Sequence, residues 1–175
     1  MTHEYEKVLT PSSGLRLHLN ENTAGCSPKV MAALQRLTRQ DLAFYPGYDD
    51  VVAATASRLG VEPKQRVLTN GLDEGILAVS VAALRERDAT VPEAVVVVPA
   101  FDMYASTASG VGARVVFVPL GPDFAFPTDR ILAAIGPQTR LLYLTSPNNP
   151  TGLLIPRADI VRIARSRPHV SVLVD

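Results

Sequence analysis

The chain has 175 residues, 17 basic against 17 acidic side chains, and 47% hydrophobic residues. That composition suits a globular protein with one sizeable core. Zero net charge with scattered arginines argues against a nucleic-acid or anionic-membrane surface, and no apolar run approaches the roughly 20 residues that span a bilayer.

Residues 1–27 read as an arm. The opening MTHEYEKVLTPSSG is polar, with both charge signs, unlike a signal peptide. Leu15, Leu17 and Leu19 alternate with Arg16, His18 and Asn20, which predicts a short edge strand running into the polar cluster Asn20-Glu21-Asn22-Thr23. The single cysteine, Cys26, excludes an internal disulfide and reads as a bystander thiol, so a cytoplasmic location is expected. The three histidines, His3, His18 and His169, are isolated, and no metal-ligand spacing occurs. Ser27 as N-cap and Pro28 as first residue start a helix with Val30, Leu34 and Leu37 as its apolar stripe. An aromatic loop, Leu42 to Tyr48, follows. Asp49 and Asp50 open the next helix, whose Val52, Ala56 and Leu59 are expected to face inward and which Gly60 ends.

From Arg66 the chain alternates. Predicted strands are Arg66–Thr69, Ala94–Val98, Arg114–Val118, Leu141–Thr145 and Val170–Val174. Between them lie helices rich in Ile76, Leu77, Val81 and Leu84, from Met103 to about Ser109, from a Thr128 cap through Ile131 to Gly136, and around Ala158–Arg165. Apolar strands alternating with helices indicate an α/β fold, a mostly parallel sheet covered on both faces. The chain stops at Asp175, directly after a buried strand, which suggests a chain cut in mid-fold.

Polar residues gather where the strands end: Asn70–Glu74, Pro99–Asp102, Ser146–Gly152 and Asp175. In a parallel sheet these ends share one edge, where ligands bind. Leu72 and Asp73 open a helix whose free N–H groups suit a phosphate, or simply form an ordinary cap. There is no GxGxxG and no Walker lysine, so dinucleotide and ATP readings lose support. Phe101 can lie on a flat ring or pack in the core. Ser146-Pro147-Asn148-Asn149-Pro150-Thr151-Gly152 is a rigid turn, in which Asn149 can donate to a phenolate-type oxygen while Asn148 is structural. Asp175 is expected to be a buried carboxylate, costly unless paired with a cationic ring nitrogen, unless it caps a further helix. Taken jointly, phosphate, ring, phenolic oxygen and ring nitrogen describe pyridoxal 5'-phosphate.

The SPNNPTG turn, with GLDE upstream and a strand ending in Asp downstream, resembles the fold-type I class I/II aminotransferases. LHLNENT, FYPGYDD, TNGLDEGI and PAFDMY are most similar to the histidinol-phosphate aminotransferases among them, over about Leu15 to Asp175. The resemblance implies a truncated large domain over 45–175, with 1–44 as an arm and helix for small-domain and dimer contacts. It implies that Asn149 bonds the cofactor's 3'-oxygen and that Asp175 pairs with the pyridine nitrogen. Phe101, where many relatives have Tyr, would stack on the ring, and the Leu72 and Asp73 N–H groups would hold the phosphate. Tyr45 would reach the phosphate of a neighbouring subunit, making a homodimer with shared sites. Asn20 and Asn22 would line the substrate entrance, with Thr23 replacing a common proline. The Schiff-base lysine and the carboxylate-binding arginine are expected beyond Asp175. The only lysines are Lys7, Lys29 and Lys64, none at a strand end, so the chain alone is expected to be inactive. The implied reaction is transamination between histidinol phosphate and 2-oxoglutarate. A threonine-phosphate decarboxylase or C–S lyase of the same fold is the alternative. From another class, the alternative is a non-catalytic remnant binding through its dimer face.

Overall fold

The computed structural model describes residues 13–14, 19–85 and 90–175. The chain divides into two compact units, Met1–Leu68 and Thr69–Asp175.

The first unit is helical where described: α1 (Pro28–Leu34), α2 (Arg39–Ala43) and α3 (Asp49–Leu59). Ser27 caps α1 through a 3.2 Å bond from the Lys29 N–H, with Pro28 at the first position, as its sequence predicts. α2 follows a reciprocal box in which Thr38 and Asp41 satisfy each other's backbone N–H. Gly60 ends α3 in the left-handed conformation, φ 64°. The expected inward face of α3 is corrected: Ala56 is buried and Val52 half-buried, but Leu59 is exposed, as are Val30, Leu34 and Leu37 of the predicted stripe, because the described part of this unit builds no core to cover them. The edge strand expected around Leu15–Leu19 falls on residues 15–18, outside the described residues.

A second correction concerns Arg66–Thr69, which forms no strand. Arg66 has extended dihedrals, φ −132° and ψ 148°. A strand, however, is defined by its ladder, and the described sheet does not include this segment.

The second unit contains α4 (Gly71–Leu84), β1 (Glu93–Val98), α5 (Met103–Gly110), β2 (Arg114–Pro119), α6 (Thr128–Ala134), β3 (Thr139–Leu144), α7 (Arg157–Ser166) and β4 (Ser171–Val174). Its four described strands run parallel in the order β2-β1-β3-β4. Val95 lies opposite Val116 on one side and Leu142 on the other, and Leu142 lies opposite Val172. Alternation then divides the side chains between two cores. Ala94, Val96, Leu141 and Tyr143 pack with Ile76 and Leu84 of α4 and Tyr104 and Ala108 of α5. Val95, Val97, Leu142 and Leu144 pack with Ile131 of α6 and Ile163 of α7. Both faces are covered, so β1 and β3 are apolar almost throughout. Glu93, buried at the head of β1, is ion-paired to Arg114 on β2. The cap expected at Thr128 is corrected: Thr128 is the first residue of α6 and is buried, and no side-chain cap bond forms there.

Candidate active site

The C-terminal edge of this sheet is drawn together by hydrogen bonds that link one strand end to the next. Asp175 extends the ladder past β4: its N–H donates to Leu144 O at 2.9 Å, and the Ser146 N–H donates to Asp175 O at 2.8 Å. The turn after β3 is tied to the end of β1 by Asn148, whose Nδ2 donates to Pro99 O at 3.1 Å and to Thr151 Oγ1 at 2.9 Å. The Asn148 N–H donates to Leu153 O at 2.8 Å and the Gly152 N–H returns to Asn148 O at 2.6 Å, closing the turn on itself. The Val98–Pro99, Ser146–Pro147 and Asn149–Pro150 peptide bonds are cis. Asn148 is therefore structural. Asn149 is half-buried, and its side chain has no hydrogen-bond partner among the described residues.

Asp175 was expected to be buried, and this is corrected: it is half-buried, because β4 is the outer strand of the sheet. Its Oδ2 accepts a hydrogen bond from the Tyr104 hydroxyl, which in turn accepts from Thr145 Oγ1 at 3.0 Å. Tyr104 is wholly buried. Its ring stacks on Tyr143, with centroids 5.2 Å apart and planes at 28°, and Phe101 meets it edge-on at 5.9 Å and 87°. The Tyr143 hydroxyl shares a 2.6 Å hydrogen bond with Ser80, whose hydroxyl also donates to Ile76 O at 2.6 Å on α4. Burial pushes the Tyr104 phenol well above its ordinary pKa, and the hydrogen bond to Asp175 and the charges of Asp175 and Asp73 push the same way. Burial also raises Tyr143.

At the start of α4, Asp73 and Glu74 share a groove with Met103 and Thr107 of α5. Gly71 has φ 81°, a conformation that glycine adopts without strain. Asn70 provides no side-chain cap bond, and Leu72, Asp73 and Glu74 are exposed. At the start of this 14-residue helix the Asn70 N–H donates to the Glu74 carboxylate and the Gly71 N–H to Thr69 O at 3.0 Å, while the Leu72 and Asp73 N–H groups have no side-chain partner among the described residues, as at helix starts that receive anions. Phe101, Asn149 and Asp175 follow the C-terminal ends of β1, β3 and β4, and Leu72 and Asp73 stand in the first turn of α4. A separate hollow of about 370 Å³, lined by Val97, Phe124, Phe126, Leu153 and Asp159 among others, includes none of these five.

Tyr45, Asn20 and Asn22 belong to the first unit. Tyr45 is fully exposed. Asn20 is exposed at φ 54°. Asn22 closes a local turn, donating to Gly25 O at 2.8 Å and accepting from the Ala24 N–H at 3.2 Å. Sequence reasoning missed Tyr104 and Thr145. The available signal was a hydroxyl-bearing aromatic three residues after Phe101, in the first turn of the helix that leaves β1.

The family model for aminotransferase class I and II matches residues 12–175. The chain belongs to the aminotransferase class I and II family. Histidinol-phosphate aminotransferase of Methanococcoides burtonii is 36% identical over 162 residues, 89% of this chain and 43% of that protein. The structure of N-succinyldiaminopimelate aminotransferase from Mycobacterium tuberculosis superposes with a TM-score of 0.71 at 30% identity, covering 85% of this chain and 42% of that one. Histidinol-phosphate aminotransferase from Sinorhizobium meliloti, solved in complex with pyridoxal-5'-phosphate, superposes with a TM-score of 0.78 over 90% of this chain and 42% of that one. At 24% identity this last likeness is one of fold. The mostly parallel sheet with helices on both faces, expected from the alternating pattern, is the fold these structures share. The chain spans less than half the length of these relatives.

Proposed function

We propose that this chain provides the cofactor-binding part of a pyridoxal 5'-phosphate-dependent aminotransferase. The reaction moves the amino group of histidinol phosphate to 2-oxoglutarate, giving imidazole-acetol phosphate and glutamate. What supports this is that Phe101, Asn149, with its amide unengaged among the described residues, and Asp175 follow the C-terminal ends of three parallel strands, beside a helix start without a side-chain cap from Asn70.

The residues present fit the group. The Leu72 and Asp73 N–H groups hold the phosphate, aided by the positive end of α4. Phe101 lies on the ring, and Asn149 donates its amide to the phenolic oxygen. Asp175 carries the negative charge that keeps a proton on the ring nitrogen. When bound, the cofactor supplies an electron sink for negative charge developing on the substrate carbon. By family resemblance, Tyr45 reaches the phosphate held by a partner protomer, Asn20 and Asn22 line the substrate entrance, and residues 1–44 serve small-domain and dimer contacts. The histidinol-phosphate assignment rests on the names of the relatives.

Two measurements test this reading. Pyridoxamine 5'-phosphate needs no lysine, so the chain should bind it saturably, with inorganic phosphate as competitor; no saturable binding refutes the cofactor assignment. For the substrate, protein made from the native reading frame should form glutamate from histidinol phosphate and 2-oxoglutarate. Release of CO2 from phosphothreonine instead would move it to the decarboxylases, and transfer from N-succinyldiaminopimelate would move it to another substrate class.

A further inference from the structure

We propose that Tyr104 is a positioning residue for the ring-nitrogen partner: its hydroxyl, anchored by Thr145, fixes the Asp175 carboxylate so that Oδ1 is the oxygen presented to the cofactor. This rests on the cofactor reading above.

A phenol has a single proton and accepts through its lone pairs. Thr145 Oγ1 donates to the Tyr104 oxygen, so the phenolic proton is left for Asp175 Oδ2. That bond uses one carboxylate oxygen and leaves the other, which has no partner among the described residues, for a second donor. The Tyr104 ring has little freedom to shift, being fully buried, stacked on Tyr143 and met edge-on by Phe101. Tyr143 is itself held by Ser80 on α4. Support for the carboxylate therefore runs back into the core instead of depending on the outer strand, where Asp175 is half-buried. An apolar core alone would accept phenylalanine at position 104, because a buried hydroxyl is costly unless it is bonded. Here its bonding is spent on the two strand ends that frame the site.

The test compares pyridoxamine 5'-phosphate with its 1-deaza analogue, in which carbon replaces the ring nitrogen. Both are titrated against the wild-type chain and Tyr104→Phe, with circular dichroism confirming the fold. If Tyr104 acts through Asp175 on the nitrogen, Tyr104→Phe weakens the parent compound by roughly tenfold, the scale of one hydrogen bond to a charged group, and leaves the analogue unchanged. Equal weakening of both compounds, or of neither, overturns the proposal. Should Tyr104→Phe fail to fold, Thr145→Val, which releases the anchor but keeps the phenol, carries the same comparison with a smaller selective loss; no selectivity overturns the proposal equally. Failures of the underlying reading show separately in the wild type. Equal affinity for the two compounds removes the Asp175–nitrogen contact, and no binding of either removes the cofactor site; each takes the proposal with it.

Discussion

The two adjacent asparagines of the turn after β3 should behave oppositely when each is replaced by alanine. Asn148→Ala removes two side-chain hydrogen bonds, to Pro99 O and to Thr151 Oγ1. Neutral bonds of this kind contribute about 0.5–1.5 kcal/mol each. The Pro99 contact is open to water, which takes over part of the lost bonding, so the expected loss is about 1–2 kcal/mol. With a urea slope of about 1–3 kcal/mol per molar for a small domain, the midpoint should fall by roughly 0.3–2 M. Asn149→Ala removes no side-chain hydrogen bond among the described residues, so its midpoint should stay at the wild-type value. Its binding of pyridoxamine 5'-phosphate should weaken by about tenfold, again one charge-assisted bond. Urea unfolding followed by circular dichroism gives the first quantity, and ligand titration gives the second. If Asn149→Ala lowers the midpoint as much as Asn148→Ala and spares binding, the division of labour argued from the geometry is wrong.

At alkaline pH the buried tyrosines should govern stability. Tyr104 and Tyr143 are raised above a solvent phenol, so the unfolded chain loses these protons first, from about pH 10 upward. Their contribution is complete below that pH and declines above it. Ultraviolet difference titration should show late-ionising phenols, and Asp175→Asn should make one of them ionise earlier; no change on that substitution would deny the Tyr104–Asp175 bond. At the start of α4, Leu72→Ala should leave phosphate-dependent binding intact, because only the backbone is used. Leu72→Pro, tolerated in a first helical turn, should weaken it by removing the N–H while barely moving the unfolding midpoint. Equal effects from both would assign the role to the leucine side chain. Finally, borohydride added to the chain with pyridoxal 5'-phosphate should leave no pyridoxyl-lysine, since no lysine follows Lys64; a stable adduct at Lys29 or Lys64 in a peptide map would contradict this.

What the sequence conveyed and what it withheld divide along a physical line. β1 and β3 were legible because both of their faces are buried, which makes them apolar after their polar first residues, and the two cores take their alternate residues. The edge position of the polar clusters followed from parallel topology alone, since strand ends in such a sheet share one side. Arg66–Thr69 misled because local preference for extended backbone is not pairing, and pairing depends on a neighbour that the segment itself does not specify. Tyr104 was hidden for the complementary reason. Its partner, Asp175, lies 71 positions away in sequence, and only the phase of α5 against β3 and β4 turns its hydroxyl to that carboxylate. Residues whose chemistry is exposed at a strand end can therefore be picked out by type and place. A residue that holds another in position has no such mark, because in sequence it resembles core. The same reasoning explains Asn148 and Asn149, which are identical in type and adjacent in place. What separates them is which amide the turn consumes: Asn148 is taken up by Pro99 and Thr151, and Asn149 has no side-chain partner among the described residues.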